Sequence, residues 1–123
     1  MGTGVQGVYG QGNGGDTAAR GLEGFSDVGT GVFANTNTGT ALKVVGPAVF
    51  SRSGALTIPA GSSSGIVTGV PLTGSSLVLA LVQQKRGRVS VRAAVPDVAS
   101  SSFTVHLNAK PQVDVKVAWF VVN

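Results

Sequence analysis

No cysteine occurs anywhere in the 123 residues, so no disulfide can staple this chain and no thiolate is available as a nucleophile or metal ligand. Charge is scarce as well. Asp, Glu, Lys and Arg make up 11% of the residues, against about 25% in an ordinary globular domain. One histidine and five scattered carboxylates match neither zinc spacing nor an EF-hand loop, which leaves no expected cofactor and no expected metal. The longest apolar runs, 77–82 and 117–122, have the length of strands. They fall far short of the roughly 20 residues of a spanning helix, so membrane insertion is not expected. Met1-Gly2-Thr3-Gly4 carries neither the basic start nor the apolar stretch of a signal peptide.

What is abundant is glycine, and it is concentrated: 13 of the 19 glycines fall within residues 1–46. There they punctuate a repeat of a small residue, an aliphatic, any residue and another small residue. It reads Gly4-Val5-Gln6-Gly7, Gly7-Val8-Tyr9-Gly10, Gly21-Leu22-Glu23-Gly24 and Gly31-Val32-Phe33-Ala34, then degenerates into Ala41-Leu42-Lys43-Val44. Each unit offers one or two apolar side chains, while glycine maximises the entropy lost on ordering. Such a segment stays unfolded unless copies of it pack on one another. The economical solution is identical chains wound about a shared axis. This predicts a homotrimer whose interface is lined by Val5, Val8, Leu22, Val32 and Leu42.

Composition changes at Gly46-Pro47, which divides the chain into a repetitive β-stalk (1–46) and a head (47–123). Asp16-Thr17-Ala18-Ala19-Arg20 allows one helical turn before Gly21, and no longer helix is expected. In the head, short strands are expected at 48–52 and 56–58, joined by Ser53-Gly54, and at 65–70 and 77–83. The run Leu77-Val78-Leu79-Ala80-Leu81-Val82 suits a strand buried on both faces. Three alternating strands follow. Val89, Val91, Ala93 and Val95 oppose Arg88, Ser90 and Arg92. Phe103, Val105 and Leu107 oppose Thr104, His106 and Asn108. Val113, Val115, Val117, Trp119 and Val121 oppose Asp114, Lys116, Ala118, Phe120 and Val122. Such period-two patterning, with turns every 8–12 residues, predicts a small antiparallel β-sandwich. The last strand is apolar on both faces at its end, so Phe120 and Val122 are expected to face a neighbouring subunit. A place under the stalk junction is the alternative.

The net charge of +4 belongs to the second half, where Lys85, Arg86, Arg88, Arg92, Lys110 and Lys116 face only Asp97 and Asp114. The cluster Arg86, Arg88 and Arg92 is the candidate contact for a ligand such as phosphate or an acidic glycan. The plainer reading is a solvated hairpin between 77–83 and 89–95. No aromatic residue interleaves with the basic ones, so nucleic acid is not an expected partner.

Two matches to catalytic or binding motifs fail on context. Gly61-Ser62-Ser63-Ser64-Gly65 fits G-x-S-x-G, with Asp97 and His106 following in hydrolase order, yet no helix follows to make a nucleophile elbow. Gly10-Gln11-Gly12-Asn13-Gly14-Gly15 fits G-x-G-x-x-G by abundance of glycine, without the flanking strand and helix. A three-fold axis would triple Asn35, Asn37 or His106 into a ring for an ion, although these suit turns and surface better. Trp119 reads as core on a regular apolar face, with a sugar-stacking platform as the other use. No enzyme is expected.

Two stretches carry a likeness. Gly4-Val5-Gln6-Gly7-Val8-Tyr9-Gly10 and Gly29-Thr30-Gly31-Val32-Phe33-Ala34 resemble the repeats of glycine-rich bacterial and phage fibre proteins. That likeness implies a triple β-helix or β-prism of intertwined chains. Ser102-Phe103-Thr104-Val105-His106-Leu107 and Val115-Lys116-Val117-Ala118-Trp119-Phe120-Val121-Val122 are similar to C-terminal fibre knobs and to the H-type lectin sandwich. The latter implies six antiparallel strands and a trimer; its sugar-contacting residues find no counterparts here. The expectation is an all-β, homotrimeric structural or attachment protein of a cell or virion surface, with a glycan or surface receptor as its further partner. A carbohydrate-binding module is the alternative.

Overall fold

A computed structural model describes Gly24, residues 26–85 and residues 87–122. The chain divides into two units, Met1–Pro47 and Ala48–Asn123. In the first, the described residues form neither helix nor strand, and every one of them is exposed. Val5, Val8, Leu22, the helical turn expected at 16–20 and Arg86 lie outside the described residues.

The second unit is all-β. Its strands are β1 (Ser53–Ile58), β2 (Ser64–Thr68), β3 (Leu77–Val82), β4 (Val91–Asp97), β5 (Ser102–Leu107) and β6 (Val115–Val122). They form two antiparallel three-stranded sheets, ordered β1-β6-β3 and β2-β5-β4, and no helix occurs among the described residues. Alternation of apolar with polar residues makes β5 and the start of β6 two-faced, and the inner faces of the two sheets meet in one core. The central strands supply the centre of that core: Phe103, Val105 and Leu107 from β5, and Val115, Val117 and Val121 from β6, joined by Ile58 of β1. Burying each such side chain contributes about 1.5–3 kcal/mol.

Trp119 belongs to this inner face, its ring meeting Phe103 edge-on at a centroid distance of 5.3 Å. It pairs in register with Gly54 on β1. A Cβ placed on Gly54 would lie 2.8 Å from the indole Cζ2, so the strand needs glycine there for the ring to lie flat against it. This corrects the expectation that Ser53-Gly54 is a turn between two strands. The residues form one continuous β1, and 48–52 precede it without strand structure.

Two further expectations fail, each for a physical reason. Strands β3 and β4 do not form a hairpin. Pairing with β6 commits β3 to one sheet, and pairing with β5 commits β4 to the other, so residues 83–90 cross between sheets. The expected alternation along β4 also breaks. Its register slips between Val91 and Ala93, leaving Arg92 as the extra residue of a β-bulge. Beyond it the inward side passes to Ala94, opposite Val105, while Ala93 and Val95 turn outward opposite His106 and Thr104.

Candidate functional site

Two surfaces of the sandwich have the composition of a site. The first is the outer face of the β1-β6-β3 sheet. Register places Leu77 beside Val122, Leu79 beside Phe120 and Leu81 beside Ala118. On the other flank of β6, Ala55 lies beside Ala118 and Ser53 beside Phe120. The Phe50 ring stacks at a tilt on Phe120, with centroids 5.2 Å apart. Leu77, Leu79 and Leu81 are 64%, 57% and 70% exposed in the single chain, and a groove of about 440 Å³ runs between Leu79, Leu81, Ala118 and Phe120. The sequence expected β3 to be buried on both faces. Only Val78, Ala80 and Val82 pack on the core; the three leucines lie on the opposite side of an edge strand. Phe120 and Val122, expected to face a neighbouring subunit, lie half-buried on this same side of the sheet, and the leucines join them. The signal for the leucines was present, since the odd positions of 77–82 carry the larger side chains.

Val32 and Leu42, the other expected interface residues, are exposed in the first unit, together with Val28, Phe33, Val44 and Val45.

The second surface is one end of the sandwich, where residues 59–63, 83–90 and 108–114 connect strands. Asn108 ties two of these loops together. Its Oδ1 accepts a hydrogen bond from the Ser90 amide at 2.9 Å, its Nδ2 donates to the Arg88 carbonyl at 2.8 Å, and its own amide donates to the Ser90 carbonyl at 3.1 Å. The Gly61 amide donates to the Pro111 carbonyl at 2.8 Å and brings in the third loop. Gly87 adopts φ +58°, a turn conformation that favours glycine. The result sets exposed Lys85 and Arg88 on the same end as Lys110, with Lys116 entering β6 nearby and Arg92 on the bulge. The only carboxylate of these loops, Asp114, accepts a hydrogen bond from the Ala60 amide at 3.0 Å through Oδ1. A hollow of about 290 Å³ opens between Gly87, Val89, Lys110, Pro111, Gln112 and Val113. Sequence spacing grouped Arg88 with Arg92. It missed Lys110 and Asn108, which arrive through a pairing between sequence-distant loops.

At the opposite end, Asp97 accepts hydrogen bonds from the Ser100 hydroxyl at 2.8 Å and the Ser100 amide at 3.3 Å. These hold its carboxyl below the usual aspartate value. Asp97 and His106 are not brought together. Asp97 pairs with Ser102 and His106 with Ala93 and Ser64, so the length of β5, roughly 13 Å, separates them. Ser62 turns its hydroxyl to the Ser64 carbonyl at 2.9 Å. Among the described residues no three His, Asp or Glu side chains gather as metal ligands.

Comparison with known protein families, characterised proteins and solved structures finds no match to this chain.

Proposed function

We propose that this protein is a non-enzymatic structural or attachment component that acts as a homotrimeric fibre or spike at a cell or virion surface. The carrying observation is the outward leucine face of the β1-β6-β3 sheet, which a lone chain leaves in water. Magnitude decides how much that face can do. Strands about 4.8 Å apart, rising about 3.3 Å per residue, make three strands of six residues cover roughly 300 Å². A stable interface takes about 800 Å² from each partner. The leucine face alone would hold subunits weakly, so a second contact is required. The repeat segment supplies it, because Val28, Val32, Phe33, Leu42, Val44 and Val45 find no shelter within their own unit. Glycine-rich repeats that bury apolar residues against sister copies, joined to a six-stranded antiparallel head, make up the architecture that both resemblances imply.

Multi-angle light scattering of the full chain tests the reading. The expected mass is three times that of the 12.2 kDa chain, and a clean monomer across micromolar concentrations would overturn it. The second reading, a carbohydrate-binding module, is favoured by the basic loop end and its hollow.

A further inference from the structure

We infer that the loop end carrying Lys85, Arg88 and Lys110 binds an anionic polysaccharide, one bearing uronate carboxylates or sulfate groups. This deepens the carbohydrate-binding reading and is independent of trimerisation. Three features of that end point to such a ligand. Its cations come from two loops that lie far apart in sequence and are held side by side by the hydrogen bonds of Asn108, so the backbone that carries Arg88 and Lys110 is positioned by the fold. Cations on a pre-set backbone bind a polyanion with less ordering cost than the same side chains on separate loops. Their charge is left over, because these loops set the single carboxylate of Asp114 against Lys85, Arg88 and Lys110. The hollow beside them is walled by Val89, Pro111 and Val113 with Lys110 at its edge. An apolar wall takes the C–H face of a sugar ring, while a neighbouring cation takes its acid group.

Nucleic acid fits this end less well. Residues 59–63, 83–90 and 108–114 contain no aromatic side chain, so no platform exists for stacking bases. The reading of this connection as a hairpin also falls away, since it joins strands of two different sheets.

The test uses the full chain with heparin and polygalacturonate as anionic probes, and with dextran and oligo(dT) as comparisons, in biolayer interferometry. Both anionic polysaccharides should bind saturably and lose affinity as salt rises from about 50 mM to about 500 mM. Lys110→Ala and Arg88→Ala should each weaken binding about fivefold or more. Lys43→Ala removes the same charge from the first unit and should change binding less than about twofold. Asn108→Ala should weaken binding with every cation retained; if it lowers the melting temperature too far to be read, the Lys110 and Arg88 variants carry the test. Equal losses in Lys43→Ala would overturn the assignment, leaving net charge as the cause. Oligo(dT) binding as tightly as heparin would overturn it as well. Binding of dextran alone would overturn it while leaving a carbohydrate-binding module in place, and no binding to any probe at low salt would remove both.

Discussion

Gly54 and Asp97 each place a measurable constraint on the sandwich. With a methyl at Gly54, either the indole of Trp119 moves or β1 bows outward, because the added Cβ would meet Cζ2 at 2.8 Å and Nε1 at 3.3 Å. Trp119 Nε1 is itself buried without a hydrogen-bond acceptor among the described residues, so the ring has no polar tether to guide it elsewhere. Gly54→Ala should therefore cost about 1–3 kcal/mol, the range for overpacking, measured as a lower denaturant midpoint at unchanged slope. Asp97 provides a pH reading. Its ionised form is favoured in the folded state by Ser100, so the contribution of this turn is present above the ordinary aspartate range and is lost as pH falls through its lowered value. Carbon-detected titration should place the Asp97 carboxyl below 3.8, and Ser100→Ala should move it upward. An Asp97 that titrates normally and ignores Ser100→Ala would show that the turn hydrogen bonds do not persist in solution.

Strand β3 is the element on which the proposed self-association turns. Its leucines face outward from the edge of a sheet, and a charge placed among them distinguishes two states of the protein. In a lone chain Leu79→Lys is a surface change worth less than about 0.5 kcal/mol. Within an assembly it buries an unpaired ammonium, and the trimer should dissociate at concentrations where the parent chain stays assembled. Scattering mass together with circular dichroism reads both effects. A trimer unmoved by Leu79→Lys would remove this face from the interface. This strand also marks how far the sequence could be read. Alternation located β5 and the inner face of β6 because Phe103, Val105, Val115 and Val117 recur every second residue against polar partners. In β3 every residue is apolar, so periodicity carried no face information and only side-chain size hinted at it. In β4 the alternation was visible but misleading, since the slip at Arg92 reverses the pattern without any residue that announces a bulge. The loop end was illegible for another reason. Lys110 and Arg88 share a surface only through Asn108, a contact spanning twenty residues.

For the whole molecule, the two proposed contacts, the leucine face and the repeat, should act together. Dissociation and unfolding then become linked, and the melting temperature should rise with protein concentration. Deleting residues 1–40 should lower it sharply or abolish the trimer, as read by calorimetry and scattering. A truncated chain that remains trimeric and melts at the parent temperature would show that the repeat contributes nothing to assembly.

The order of pairing has a consequence for how such a chain is made. Both β1 and β3 bond only to β6, which lies between them and follows them by more than thirty residues. While the ribosome is still translating, neither flanking strand has a partner, and the leucine surface does not yet exist as a flat sheet. The β2-β5-β4 sheet, by contrast, has all its strands once Leu107 has been made, and its β4–β5 hairpin can close first. The leucine face is thus completed only when synthesis has passed Val122, and a prematurely terminated product would lack that surface.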